Sequence, residues 1–303
     1  MKIQPEGRWL PLVLLASLLP GAAGLAQQKH PLRAAYAAGD RATVDAYREI
    51  DVKYSVAVPG REPQTLRFTR FHTESYTEVV LSAEPTGRTG IRRTYSLART
   101  EELDPQDRIR ATESALQGNA VAVRRRGDEV IVTSARGALG AADRQSLSGV
   151  LRGSAMDLLP AADAAPGEEW EVGEKGAAWI LRATGADEAV VRAEFREITS
   201  FGGHPCARIR LTAETVGPSA AVGAGATLTA RLSGDLYFAL DLRRELGLEL
   251  AGPVGVRGLQ AGGVDARGGM RVKETLRWHQ VAGRPLATGT PAAGAAADAP
   301  TAE

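Results

Sequence analysis

The sequence predicts a mainly β protein of the α+β class, with curved antiparallel sheets in two similar halves and one central amphipathic helix. In residues 227–250 the even positions are apolar except for Gly234 and Arg244, and the odd positions are mostly polar, a period of two that persists far longer than chance would give. Only an extended chain sends alternate side chains to opposite sides, so long strands with one buried face are expected. Similar segments recur on both sides of residues 141–159, where the apolar spacing changes to three and four.

Residues 1–26 have the pattern of a secretory signal peptide. Lys2 and Arg8 form a positive region, the apolar run WLPLVLLASLL follows, and small residues precede the cleavage site expected after Ala26. The apolar run is too short for a stable membrane anchor, and no later segment approaches the roughly 18 to 20 apolar residues that a span requires. We therefore expect a periplasmic or extracellular protein with no transmembrane span after signal cleavage.

Composition excludes some partners. The chain has 37 basic and 36 acidic residues, so no overall field favours nucleic acid or an anionic membrane. Its single cysteine, Cys206, has no partner for an internal disulfide. The residues that follow Cys206 alternate in polarity, which favours a small strand residue over a reactive thiol.

Residues 27–42 are predicted to be a polar leader, and residues 43–160 an N-terminal antiparallel half that ends in the helix. In this half we predict strands within residues 43–58, 66–69, 76–81 and 94–97, and a hairpin at 120–133. The hairpin reverses at residues 125–128, where Gly127 supplies the positive φ of a tight turn.

The central helix is predicted at residues 141–159. Asp143 lies near its start and Pro160 follows its end. Its apolar stripe consists of Leu147, Val150, Leu151, Ala155, Leu158 and Leu159. We expect this stripe to pack on the apolar face of the sheet.

Residues 161–282 are predicted to form a C-terminal antiparallel half. The predicted strands lie near Trp170 and within residues 178–184, 189–198, 206–213, 227–250 and 270–281. Residues 255–269 are rich in glycine and are expected to be mobile. Residues 283–303 are rich in alanine, proline and glycine and are predicted to be a disordered tail.

Some short motifs resemble a known group of proteins. Gly39 and Asp40 precede the first long strand, the segment PGEEW ends at Trp170, and SGDL begins at Ser233. In these features the chain resembles uncharacterised secreted or lipid-anchored bacterial β-sheet proteins, in which a proline, a glycine and a tryptophan introduce the second half. The resemblance implies a pair of curved antiparallel sheets in the cell envelope, without an assigned activity. The chain lacks the lipobox cysteine of the lipid-anchored members, and a broader likeness to half-barrel lipoprotein carriers concerns the fold alone.

Signatures of catalysis and metal binding are missing from the sequence. It contains no HExxH, CxxC or GxSxG motif, and its histidines do not have the spacing of a zinc site: His30, His72, His204 and His279. Glu168 and Glu169 beside Trp170 would point to opposite faces of a strand, so they cannot act as a catalytic pair there. The sequence predicts no catalytic residue, no metal ligand and no cofactor.

Trp170, Trp179 and Trp278 are the candidate ligand-binding residues, because three indoles could line a pocket for an apolar molecule. The alternative is that the same three residues only fill the core. The predicted function is an exported non-enzymatic envelope protein, a scaffold or a binder of an apolar ligand such as a lipid, of a peptide, or of a partner protein. The alternative function is a hydrolase whose site is assembled from scattered residues.

Overall fold

The computed structural model describes residues 28–281, with the exception of 57–61, 63, 86, 104–107, 152–154, 185–186, 219–226 and 260–263. The predicted signal peptide with its cleavage site and the predicted tail at 283–303 lie outside the described residues. The first half of the described chain contains β1 (Arg41–Val56), β2 (Gln64–Glu84), β3 (Gly87–Leu103), β4 (Ile109–Glu113), β5 (Ala120–Arg126), β6 (Glu129–Ser134), α1 (Ala141–Gly149) and a 3₁₀ helix (Ala155–Leu158). The second half contains β7 (Glu169–Glu171), α2 (Glu174–Thr184), β8 (Glu188–Phe201), β9 (His204–Pro218), β10 (Thr227–Ala239), β11 (Arg244–Leu259) and β12 (Val264–Gln280).

All these strands belong to one open antiparallel sheet. Its order is β6-β5-β3-β2-β1-β12-β11-β10-β9-β8-β7, and β4 pairs with β3 beside this path. β1 and β12 lie at the centre and pair from Arg41 opposite Gln280 to Tyr54 opposite Ala266. The prediction of a mainly β, antiparallel protein is confirmed. The structure has one sheet instead of two curved halves, because the first and last strands pair and join the strands on either side.

The alternation in residues 227–250 has the predicted consequence. Along β10 the even residues Leu228, Leu232 and Leu236 are buried, while the odd residues between them are mostly exposed. We call the sheet face that carries these residues, and that packs against α1, α2 and the 3₁₀ helix, the inner face. The reversal to β11 falls at residues 240–243, with Arg243 at a φ of 55°. The hairpin of β5 and β6 turns at Gly127 as predicted, with a φ of 61°.

The predicted central helix is shorter than expected. α1 begins at Ala141, as the sequence indicates, but it ends at Gly149, and a 3₁₀ helix occupies Ala155–Leu158. The last residue of α1 is Gly149, and glycine is a poor helix former. Leu147 and Leu158 are nevertheless buried, so the apolar stripe predicted the residues that pack on the sheet.

A second helix replaces a predicted strand. Residues 178–184 lie in α2. From just before this helix into its middle, buried residues recur at helical spacing: Val172, Gly176, Trp179 and Ile180. The run AAWIL has no polar residue between its apolar ones, so alternation could not separate strand from helix there. The described chain therefore has two α-helices where the sequence predicted one.

Two apolar clusters fill the inner face. The large cluster contains residues of β1, of the strands from β7 through β12, of α2 and of the 3₁₀ helix. It includes Ile50, Val52, Trp179, Ile180, Phe195, Ile209, Phe238, Leu248 and Val272. The small cluster joins β1, β2, β3, β5, β12 and α1, and it includes Val44, Tyr76, Ile91, Tyr95, Val121, Leu147 and Leu276. β1 and β12 contribute to both clusters.

The predicted polar leader is packed against the sheet where it is described. Leu32 is completely buried in the large cluster. His30 pairs with Ala164 through two backbone hydrogen bonds of 2.8 and 3.1 Å. At the other end of the segment, the Val80 N–H donates to the Asp40 carbonyl at 2.9 Å, which ties the leader to β2.

Candidate functional site

The centre of β2 carries charged residues on its inner face. β2 is one strand of 21 residues, although the sequence predicted two short strands separated by a polar stretch. Arg70, His72 and Glu74 lie in that stretch, and they continue the same alternation that places Leu66 and Tyr76 on the inner face. The strand thus continues through a set of side chains that an ordinary core would not contain.

Strand pairing extends this polar strip across the sheet. Arg48 of β1 lies between His72 of β2 and Val272 of β12. Ala46, two residues earlier on the same face, lies between Glu74 and Glu274. The small side chain of Ala46 leaves room between two larger neighbours.

A cavity of about 380 Å³ lies over this strip. Residues of β1, β2, β3 and β12 line one side, and residues of α1 and α2 contribute to the lining as well. Its apolar lining comes from both clusters: Ile50, Trp179 and Val272 from the large one, and Val44, Tyr76, Val150 and Leu276 from the small one. The cavity therefore separates the two halves of the hydrophobic interior.

One group of charges at the cavity is joined by ion pairs within the protein. Glu78, which is 4% exposed, accepts hydrogen bonds from Arg88 and from Arg93 Nε, the latter at 2.9 Å. The Arg93 guanidinium also lies 4.3 Å from the centre of the Tyr76 ring. Burial lowers the pKa of Arg88, but the charges of Glu78, Tyr36 and Glu245 together raise it by more, so the net change is upward. These three charges form a satisfied buried network.

Arg48 lines the same cavity without such a network. Its buried Nε has no hydrogen-bond partner among the residues that the structure describes. No carboxylate in the described ranges forms an ion pair with its guanidinium. Burial lowers the pKa of Arg48, and the opposing charge of Glu74 does not fully offset this effect. Arg48 is thus a desolvated cation with incomplete compensation.

His72 is held between two side chains. Its Nδ1 lies 3.1 Å from the Thr100 hydroxyl, and its Nε2 lies 3.1 Å from a Glu74 carboxylate oxygen. Burial raises the pKa of Glu74, but the hydrogen bond and charge of His72, together with the charges of Arg93 and Arg48, lower it by more. The His72 side chain is 35% exposed, so the cavity reaches solvent on this side.

The structure does not bring the three predicted tryptophans together. Trp179 of α2 lines the cavity and is 5% exposed. Trp170 donates its indole N–H to the Leu158 carbonyl at 2.9 Å, and Trp278 donates to the Glu245 carbonyl at 2.8 Å. Trp170 and Trp278 therefore anchor backbone elsewhere on the inner side, and only Trp179 lies at the candidate site.

Sequence reasoning did not single out Arg48, Glu74 or the role of His72. The signal was present, because extending the apolar alternation of β1 back from Ile50 places Arg48 on the buried face. The same extension along β2 places His72 and Glu74 there. A charged residue in a buried register position is the feature that identifies this site.

The fold and the cavity define a class: an open antiparallel sheet whose inner face holds an internal cavity between two apolar clusters. No protein-family model matches the chain, and no curated protein matches it. Within the described ranges, no group of three or more His, Cys, Asp or Glu residues could hold a metal ion. None of the helices described is both long enough and apolar enough to cross a membrane.

Proposed function

We propose that the protein is an exported, non-enzymatic envelope protein that binds a small apolar or amphipathic molecule in the inner-face cavity. The observation that carries this proposal is the cavity itself, which has apolar walls from two clusters and charged side chains from β1 and β2. Its volume of about 380 Å³ lies in the range typical of small-molecule pockets. The signal-like residues 1–26 support export.

Packing arguments favour a binding role over a purely structural one. Protein interiors are packed as densely as organic crystals, and voids much larger than a water molecule are few. Inward-facing charges such as Arg48 also oppose folding, because burying an unpaired charge is unfavourable. A scaffold would gain stability from a filled apolar centre, whereas a binding protein needs both the space and the polar groups.

Binding can be tested with N-phenyl-1-naphthylamine, a neutral apolar fluorophore. We expect its fluorescence to rise on titration with the purified mature chain and to saturate at one molecule per chain. Ala46→Phe should weaken this binding by about tenfold or more, because the ring would occupy the space between Glu74 and Glu274. Ala111→Phe makes the same change at an exposed position of β4 and should leave binding unchanged.

The outcome that contradicts the proposal is equally specific. If Ala46→Phe keeps its folded circular dichroism spectrum and binds the fluorophore as tightly as the wild type, the cavity is not the binding site. If the wild type shows no saturable binding, the proposed function is wrong.

The hydrolase alternative has one observation in its favour, the chain Thr100–His72–Glu74. A hydroxyl, an imidazole and a carboxylate in this order have the chemistry of a nucleophile, a general base and an orienting acid. Thr100, however, is paired with His72 on one side and Thr112 on the other, so its strand lacks the free backbone N–H groups of an oxyanion hole. Hydrolysis of p-nitrophenyl butyrate that is abolished in both His72→Gln and Thr100→Val would establish the hydrolase instead.

A further inference from the structure

We infer that the ligand is a single-chain amphiphile with one carboxylate, and that Arg48 binds this carboxylate. This inference rests on the proposed function. The arginines that line the cavity differ in a way that identifies Arg48 as the binding residue. Arg88 and Arg93 share Glu78, and Arg70 pairs with Glu102 at 2.7 Å. Arg48 forms no ion pair with any carboxylate of the described residues, and its buried Nε has no acceptor there.

A guanidinium whose buried Nε has no acceptor is in an unfavourable state that a bound anion would relieve. Leaving a buried charged donor unpaired forfeits its hydration without replacing it. A carboxylate matches the fork of an arginine and forms shorter and stronger hydrogen bonds than a neutral acceptor does. Burial lowers the pKa of Arg48, and the charge of Glu74 offsets only part of this effect, which is consistent with a cation that a further anion would stabilise.

The carboxylates of the protein that line the cavity form no ion pair with Arg48, because each has another partner. Glu74 is engaged by His72, and Glu78 by two arginines. Asp143 accepts a hydrogen bond from the Ser114 hydroxyl at 3.2 Å. Glu245 accepts the Tyr36 hydroxyl at 2.6 Å, and Glu274, on the far side of Ala46, is engaged as well. Each carboxylate is thus already used within the protein.

The space beside Arg48 fits an alkyl chain. Val44, Ile50, Val272 and Leu276 provide apolar surface on the same two central strands. A water molecule in the liquid occupies about 30 Å³, so a cavity of about 380 Å³ has room for about a dozen non-hydrogen atoms. Decanoate, with ten carbons and two oxygens, is a probe of this size.

The first test compares three probes on the wild-type protein by displacement of N-phenyl-1-naphthylamine. Decanoate should displace the fluorophore at about tenfold lower concentration than 1-decanol, which has the same chain without the charge. Acetate, which has the charge without the chain, should not displace it over the same range. Acetate that matched decanoate would show a small-anion site and would overturn the amphiphile assignment.

The second test uses Arg48→Gln, with Arg271→Gln as the matched control at an exposed position of β12. Arg48→Gln should lose the preference for decanoate but still bind 1-decanol, whereas Arg271→Gln should behave like the wild type. Without ligand, Arg48→Gln should unfold at a temperature no lower than the wild type, because the change removes an uncompensated buried charge.

The inference and the proposed function fail in different ways. Equal affinity of the wild type for decanoate and 1-decanol, or an unchanged preference in Arg48→Gln, overturns the role of Arg48 and leaves a neutral binding pocket. Loss of both ligands in Arg48→Gln, together with a lower unfolding temperature, shows a structural role and also overturns it. No displacement by either probe and no fluorophore binding overturns the proposed function as well.

Discussion

Charged residues on the inner face behave in two distinct ways. Glu78, Arg88 and Arg93 are buried together, and each has an opposite charge beside it. Arg48 is partly buried on the same face; it forms no ion pair within the described ranges, and its buried Nε has no acceptor there. Removing one partner from a buried network leaves an unpaired charge and is strongly unfavourable, whereas removing a charge that is already unpaired is not. The two groups should therefore respond oppositely to neutral substitution, which is the physical basis for using Arg48→Gln as a probe of function.

Cys206 provides a test of local burial. It is completely buried in β9, as the sequence predicted, and contacts Leu242 and Leu246 in a third apolar cluster. Burial raises the pKa of its thiol to about 11, against an ordinary value of about 8.5. Because the thiolate is the reactive form, iodoacetamide should label the native protein at pH 8 much more slowly than it labels the protein in urea. Native labelling should accelerate toward pH 11.

The control for this measurement is the stability of the fold over the same pH range, followed by circular dichroism. Rapid stoichiometric labelling of the folded protein at pH 8 would show that Cys206 is accessible and would contradict its burial.

Single residues also show what could be predicted from sequence. Alternation alone identified buried residues such as Leu228, Leu236 and Phe238, because apolar burial on a strand has a simple period. It did not identify Arg48 as buried, since hydropathy assigns every arginine to solvent. The partner of a buried charge is chosen by strand register, and the pairing of Arg48 with His72 joins residues of two strands whose register no local pattern reveals.

Two elements depart from the sequence prediction for physical reasons. β2 was divided in the prediction because its central inner residues are polar, which removes the signal that marks a half-buried strand. α2 was predicted as a strand because five successive apolar residues have no period. The close approach of Gly176 to the Asp157 carbonyl now shows why this helix needs glycine: an added β-carbon would contact the 3₁₀ helix. Such contacts belong to tertiary packing and are not visible in a local pattern.

The glycine-rich segment at 255–269 is another such case, since most of it belongs to β11 and β12. An added β-carbon at Gly268 would meet the backbone of Asp51 and Val52 in β1. At the adjacent Gly269 the nearest atom, the Gly252 carbonyl oxygen, would be 3.8 Å away, an ordinary contact. Glycine is thus required at one position by space and is replaceable at the next.

We predict that Gly268→Ala lowers the free energy of unfolding by about 1–3 kcal/mol, because the central β1–β12 pair must shift to admit a methyl group. Gly269→Ala should be neutral or should stabilise by about 0.4–1 kcal/mol, through a less flexible unfolded chain. Urea denaturation of the two variants and the wild type provides the measurement. Equal effects of the two substitutions would show that the close approach at Gly268 does not constrain the sheet.

The two central strands couple the two parts of the whole molecule. β1 places Val44 in the small cluster and Ile50 in the large one, and β12 places Leu276 and Val272 in the same two clusters. Neither cluster can lose its order without releasing a strand on which the other depends. The leader adds a second connection, since it runs from Leu32 in the large cluster to the backbone pairing of Asp40 with Val80 on β2. One cooperative unit is therefore expected, although the sequence suggested two halves.

We predict that urea unfolds the two clusters in one transition. A variant that retains only Trp179, in the large cluster, and one that retains only Trp278, beside the small cluster, should report the same midpoint by fluorescence.

Leu32→Ala should lower the free energy of unfolding by about 2–5 kcal/mol in both variants, because it opens a space in a completely buried position. Leu103→Ala, at a half-buried position of β3, should have a smaller effect. A midpoint that shifts for Trp179 while that for Trp278 stays fixed would mean that β1 and β12 do not couple the clusters, and that the two parts of the sheet unfold independently.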